Sequence, residues 1–364
     1  MSPKRWTALA EPLFRAGVRV RRELYRGRLL RMRRLSHPVV SIGNISVGGT
    51  GKSPLVHYFA ELLREEGLAP AVLSRGYRGT WERDNRLVSD HERLLATASE
   101  AGDEAFMLAR SLPGTLVAVG RNRWKSGRLI EQRHPHPARV FLLDDGFQHL
   151  ALARDLDLVA IDATRPRLEE ALLPAGLLRE PPQALARADA ILLTRCHLAE
   201  ARLAELEEEI RSLAPAVLRF RFRTVPVALR PLAGGETEAL TARAGSRGVA
   251  LAALGNPQQF LLDVARAGVK VVNEFLFRDH HPFSQRELDT VIERARRLSG
   301  EFVITTEKDA VRLEHLDFRG FPFLALDIRY QTSEPETLHA WLLDRLRSIS
   351  ARGSEKSERG GPTS

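Results

Sequence analysis

The stretch from Val39 to Glu66, VVSIGNISVGGTGKSPLVHYFAELLREE, limits the folds open to this chain more than any other. It opens on an apolar run, Val39, Val40 and Ile42, and turns through Gly48, Gly49 and Gly51. It then enters a helical pattern with Leu55, Phe59, Leu62 and Leu63 on one face, stopped by Gly67. Strand, glycine loop and helix in that order are the setting of a phosphate-binding loop. Glycines let backbone N–H groups turn inward around phosphate oxygens, and the helix adds the positive end of its dipole. In that reading residues Ser46, Val47, Gly48, Gly49, Thr50 and Gly51 wrap the phosphates. Lys52 reaches the β- and γ-phosphates, and the Ser53 hydroxyl ligates Mg²⁺. Pro54 falls in the first helical turn, where a missing N–H costs little. One position departs from the general pattern: Ser46 stands where the loop's first glycine is expected. The alternative is a glycine-rich turn that binds nothing.

The length, 364 residues, allows two domains with separate cores. The single cysteine, Cys196, excludes an internal disulfide and a cysteine-based zinc cluster, and it fits a reducing compartment. The net charge of +9 is concentrated at one end. Residues 1–35 hold eleven Lys or Arg against Glu11 and Glu23, an excess of nine, so the rest is close to neutral. A nucleic-acid enzyme would carry its basic patches around the catalytic domain, so no nucleic-acid partner is expected.

Within residues 1–37, Trp6, Leu9, Leu13, Val20 and Leu24 fall at helical spacing, and Phe14, Val18, Tyr25 and Leu29 extend the stripe to a neighbouring face. Arginines fill much of the remainder. They interrupt every run that could serve as a secretory signal or a spanning helix. A basic amphipathic helix of this kind suits a membrane interface, and it equally suits packing on a domain with a solvated basic face.

Residues 38–225 read as a mainly parallel, doubly wound nucleotide-binding domain, because strand patterns alternate with helical ones. Ala69–Leu73 ends in Ser74-Arg75-Gly76-Tyr77-Arg78-Gly79, a basic, glycine-rich strand end suited to an anion. Gly102-Asp103-Glu104 opens a helical run, where an acidic pair serves either as a cap or in chemistry. Val140–Leu143 delivers Asp144 and Asp145 at a buried strand end, the Walker-B arrangement for Mg²⁺. Residues 226–346 read as a second, smaller α/β domain, with Asp279-His280-His281 after a strand and a capping box from Ser284 to Glu287. The Asp-His-His cluster lacks a spaced third partner for zinc and is better suited to proton transfer. The tail, residues 347–364, is polar and is expected to be disordered.

Collinear short strings now converge on one family. GGTGKSP, SRGYRG, GDEAFMLA, DDGFQH, LLPAGLLREP, the Gly255-Asn256-Pro257 turn, Asp279-His280-His281 and TEKDAV, in this order, resemble the tetraacyldisaccharide 4′-kinases, the lipid A kinases. The resemblance runs from about Leu24 to Leu346 and also covers Ser46, since that family carries Ser or Thr there. It implies transfer of the γ-phosphate of ATP, with Mg²⁺, to the 4′-hydroxyl of a lipid A disaccharide 1-phosphate. It implies Asp103 as the catalytic carboxylate paired with His280, and Asp144 and Asp145 as metal-site and catalytic aspartates. Arg179 is implied near the nucleotide, and Glu180 near the metal. It also implies a peripheral or monotopic position on the cytoplasmic face of the inner membrane, with no obligate protein partner evident. The competing functions are a P-loop kinase of a soluble sugar or metabolite and a membrane-associated switch ATPase. The basic segment speaks against the first. The second has a signature lysine where this chain has Val47.

Overall fold

The structure, a computed structural model, describes residues 3–48, 51–165, 168, 171–279 and 281–358, with only the backbone described for 3–9 and 352–358. The chain forms two compact units, Met1–Arg223 with Gln331–Ser364, and Thr224–Tyr330.

The first unit opens with α1 (Pro3–Arg26), followed by β1 (Val39–Gly43), α2 (Lys52–Glu65), β2 (Ala69–Ser74), β3 (Arg86–Ser89), α3 (Ala98–Ala101) and α4 (Asp103–Ser111). It continues through β4 (Leu116–Val119), α5 (Arg123–Arg133), β5 (Arg139–Asp144), β6 (Leu156–Asp162), β7 (Ala190–Thr194), α6 (Glu200–Leu213) and the first part of β8 (Leu218–Pro231). The strand order is β8-β7-β6-β1-β5-β2-β4-β3. Neighbouring strands from β8 to β4 run parallel, and β3 pairs antiparallel with β4 at the edge. Val39, Val40 and Ile42 are buried, as are Phe141, Leu142 and Leu143. Continuous apolar runs of this kind belong to parallel strands covered on both faces. The register pairs Ile42 with Asp144 and Ser74 with Val119, so the loops after β1, β2, β4 and β5 emerge along one edge.

The second unit takes up the chain within β8. It adds β9 (Glu238–Ala239), β10 (Arg247–Ala253), α7 (Pro257–Arg266), β11 (Lys270–Phe277), α8 (Gln285–Arg297), β12 (Phe302–Thr306), α9 (Glu307–Leu313) and β13 (Phe323–Thr332). Its order is β11-β10-β12-β13-β8, with parallel pairs from β11 to β13. The Ser284–Glu287 capping box forms: Ser284 N–H donates to Glu287 Oε2 at 2.9 Å, and Glu287 N–H reaches Ser284 Oγ at 3.4 Å.

Three boundaries differ from the sequence reading. The junction expected at 225/226 lies inside β8, so the chain changes unit in mid-strand. Gln331 onward returns to the first unit, rather than 226–346 forming one body. The expected disordered tail is instead helical as far as Glu358, within α10 (Pro335–Glu358), and residues 359–364 lie outside the described residues.

Candidate active site

The glycine loop takes the conformation its sequence requires. Gly48 and Gly51 have φ of +97° and +79°, in the left-handed region that favours glycine. Gly51 caps α2 without a side-chain hydrogen bond, so the N–H groups of the first turn face the loop free of a side-chain cap. Lys52, Ser53 and Pro54 are the first three residues of α2. Ser46 bridges to Leu178, and Val47 N–H donates to the Leu177 carbonyl at 2.8 Å. The Arg179 and Glu180 N–H groups both reach the Ile45 carbonyl, at 2.7 and 3.3 Å. These backbone bonds lay the Leu173–Glu180 loop beside the glycine loop and thereby position Arg179 and Glu180. Gly49 and Thr50 lie outside the described residues.

At the end of β5 the two aspartates diverge. Asp144 is buried and accepts from Ser74 Oγ at 3.0 Å. Burial pushes its carboxyl up to about 7, with Glu104 and Asp145 adding and Lys52 opposing. A carboxyl in that setting gains from a cation beside it. Asp145 has φ +51°, in the left-handed region, and its side chain meets partners different from those of Asp144. Its oxygens meet Lys52 Nζ at 3.4 Å and Arg179 Nη1 at 2.9 and 2.7 Å. Burial pushes Asp145 up, but Lys52 and then Arg179 overcome it and hold the carboxyl below its usual range.

Glu180, also buried, accepts from Arg187 Nη2 at 2.7 Å and Gln148 Nε2 at 3.0 Å. Gln148 Nε2 also donates to the Asn44 carbonyl at 2.8 Å, tying the strand-end loops of β1 and β5 together. Among the described residues no three His, Cys, Asp or Glu side chains gather into a ready-made metal cage. Mg²⁺ rarely needs one, since it takes one or two carboxylates and completes its shell with phosphate oxygens and water. Asp144 and Glu180 are buried carboxylates and Ser53 a hydroxyl in the first turn of α2, the donor chemistry such an ion takes.

Asp103 opens α4, and the cap position is Gly102, with φ +83°. Asp103 is therefore not the cap that the local sequence allowed. Its place is set by close backbone contact with the loop after β2. A Cβ on Gly79 would lie 2.5 Å from both the Glu100 carbonyl and the Gly102 nitrogen. A Cβ on Gly102 would lie 2.6 Å from the Tyr77 carbonyl. The glycines of SRGYRG and GDE thus let two loops interlock and fix where α4 begins. His280 lies outside the described residues. Beside it in sequence, Asp279 pairs with Lys308 at 3.0 Å, and His281 stacks on Phe277 and meets Glu287 at 2.9 Å.

Sequence reasoning passed over Gln148, Arg187 and Arg123 as site residues. Arg123 is buried, and burial lowers its guanidinium to about 10 despite the opposing pull of Asp144. The sequence shows it only as one of several basic residues after β4.

The comparisons with known proteins extend over most of the chain. The sequence profile described as tetraacyldisaccharide-1-P 4′-kinase matches residues 4–347. The tetraacyldisaccharide 4′-kinase of Geobacter metallireducens is 41% identical over 297 residues, covering 81% of this chain and 84% of the relative. That of Anaeromyxobacter dehalogenans is 43% identical over 306 residues, covering 84% and 80%. A crystal structure of LpxK from Aquifex aeolicus in complex with ATP superposes with a TM-score of 0.74 at 30% identity, covering 92% of this chain and 97% of that one. With its glycine loop, paired strand-end aspartates and interlocked α4 in place, this chain belongs to the tetraacyldisaccharide-1-P 4′-kinase family.

Proposed function

We infer that this protein transfers the γ-phosphate of ATP to the 4′-hydroxyl of a tetraacyldisaccharide 1-phosphate. The observation that carries the reading is the Lys52–Asp145 approach at 3.4 Å, which joins the glycine loop to the carboxylate pair at the end of β5. The uncapped first turn of α2 and the backbone of Ser46–Gly51 would bind the phosphates, and Lys52 would neutralise the β/γ oxygens as negative charge shifts toward the leaving group. Bound Mg²⁺ supplies further charge neutralisation on those oxygens. Ser53, Asp144 and Glu180 would hold it. Arg179 and Lys52 keep Asp145 ionised and oriented toward the loop. Asp103 would accept the proton as the 4′-oxygen bonds to phosphorus and the β–γ bridge bond breaks, leaving ADP. The family resemblance assigns His280 to the same proton transfer.

The acceptor carries four acyl chains, so the reaction is expected at a membrane surface, on the cytoplasmic face of the inner membrane. Support comes from α1: Leu13 and Val20 are exposed while Phe14, one position away, packs on the unit's core. Among the described residues no helix is long and apolar enough to cross a membrane.

ATP turnover measured with and without the phosphorylated disaccharide lipid tests the reading, with the product's phosphate located by ³¹P NMR. Turnover independent of the lipid, or phosphate on another hydroxyl, would sink it. For the base, Asp103→Ala and His280→Ala should each cost about 10²–10⁴ in kcat. The double variant should cost little more than the worse single one if the pair acts as a unit.

A further inference from the structure

The first unit carries a basic groove that the chemistry above does not use. It is lined by Arg34, Trp124, Lys125, Arg128 and Gln132. Trp124, Arg128 and Gln132 recur every four residues along α5, so the groove follows that helix for about 12 Å. The segment before β1 forms its other wall. Trp124 Nε1 donates to the Arg34 carbonyl at 3.1 Å, and the Arg33 guanidinium lies over the indole at 4.3 Å. The Arg34 guanidinium reaches Asp155, which also accepts from Val39 N–H at 2.9 Å. That contact ties the Arg34 side chain to the start of β1, while the bond from Trp124 holds its backbone at the first turn of α5, which follows the end of β4. Lys125 is exposed and has no ion pair among the described residues. Leading into the wall is Arg28-Leu29-Leu30-Arg31-Met32-Arg33, where Leu29 is 77%, Leu30 38% and Met32 54% exposed. Apolar side chains standing in solvent between arginines, next to a cationic groove with an indole in it, combine the two features of an anionic lipid surface: insertion and charge.

We propose that this groove binds the phosphate headgroup of an anionic phospholipid of the bilayer, while Leu29, Leu30 and Met32 enter the acyl region beside it. The proposal rests on the membrane reading above and adds to it a defined headgroup site. Lys125 supplies charge on α5, Arg128 pairs with Glu131 at 2.8 Å and offers the rest of its half-exposed guanidinium, Trp124 sits at headgroup depth, and Arg34 closes the inner wall. A bilayer phospholipid is favoured over the acceptor's own 1-phosphate because the exposed Leu29, Leu30 and Met32 lead into the groove and are placed to enter a bilayer, and because the groove extends along α5 from its first turn to Gln132, toward the end of the helix far from Asp144.

The test uses flotation of the full chain with vesicles of phosphatidylcholine alone, or with a minority of phosphatidylglycerol. Wild type should prefer the anionic vesicles. Lys125→Gln, alone and combined with Arg128→Gln, should lower affinity for them about fivefold per basic residue removed. Binding to neutral vesicles should hold, as should the acceptor KM in neutral detergent micelles. Arg211→Gln on α6 is the control for bulk charge and should change neither. If wild type fails to bind any vesicle, the membrane reading itself falls, and the groove with it. If wild type prefers anionic vesicles and the Lys125 and Arg128 variants match it, the groove alone is overturned. A raised acceptor KM in neutral micelles would give the groove to the substrate instead.

Discussion

Arg179 holds Asp145 through a single nitrogen: Nη1 lies 2.9 Å from Oδ1 and 2.7 Å from Oδ2. The fork of the guanidinium is not used in this contact, so an ammonium group could replace it. Arg179→Lys should therefore keep most of the activity, unlike sites where two parallel arginine bonds are needed. Arg179→Ala leaves Lys52 as the remaining cation on the carboxylate and should cost about 10- to 100-fold in kcat/KM, the scale of a lost hydrogen bond to a charged group. Removing Arg179 also removes one of the two charges that hold Asp145 low, so the acid limb of the pH–rate profile should move to higher pH. Equal losses in the Lys and Ala variants would show that geometry, and not charge, matters there.

Asp144 gives a stability prediction with a definite sign. Its folded carboxyl titrates near 7, above the unfolded value, so between about pH 4 and 7 the folded state binds more protons than the unfolded one. In EDTA the wild type should therefore lose stability as pH rises through that window. Asp144→Asn removes the term. The variant should melt above wild type at pH 8 in EDTA, and the gap should close at pH 5. Mg²⁺ with nucleotide should stabilise the wild type more than the variant. A wild-type stability that is flat or rising over this window relative to the variant would contradict the assignment.

The interlock of Gly79 with the start of α4 can be tested by size alone. Gly79 has φ −76°, which any residue adopts, so Ala brings no backbone strain. Its methyl would still meet backbone atoms at 2.5 Å. Gly79→Ala should destabilise by about 1–3 kcal/mol, the usual scale of overpacking. It should also lower kcat while leaving ATP affinity nearly unchanged, since Asp103 moves and the glycine loop does not. A variant with wild-type Tm and kcat would show that the two loops are not held by this contact.

What could be read in advance follows the range of the forces involved. β1, the glycine loop and α2 are contiguous in sequence, and so are β5 and its two aspartates, so their patterns appear within one window. Where α4 begins, and with it the backbone position of Asp103, depends on Gly79, 24 residues upstream, through a backbone contact that no local pattern encodes. β8 has an alternating pattern, Leu218-Arg219-Phe220-Arg221-Phe222-Arg223, yet the chain changes unit within this strand, where Leu218–Arg221 pair with β7 and Ala228 and Leu229 with β9, a difference of partners that the local sequence does not mark. The return of α10 to the first unit depends on long-range contacts such as Arg345 to Asp189 at 2.8 Å, invisible to any reading of the C-terminal segment by itself.

The amphipathic character of α1 resolves into two stripes with different consequences. Leu13 and Val20 are 76% and 57% exposed, seven residues apart and so nearly in line on one face. Phe14 is half-buried and packs against the cluster that includes Ile191, Leu193 and Ile210. If the outer stripe enters a membrane, Leu13→Ser with Val20→Ser should leave Tm within about 1 °C and shift the protein off vesicles, because surface changes away from packed contacts cost little stability. Phe14→Ala should do the reverse. It should lower stability by about 1–2 kcal/mol, less than a fully buried phenylalanine would, and leave vesicle binding near wild type once the protein is folded. Rising salt should weaken wild-type binding by screening the arginines without abolishing the apolar part. Flotation of the three proteins at low and high salt, with melting curves alongside, separates the two stripes. Vesicle binding lost equally in the Phe14 and Leu13/Val20 variants would mean that α1 acts through its packing on the unit, and the membrane-facing surface would have to lie elsewhere.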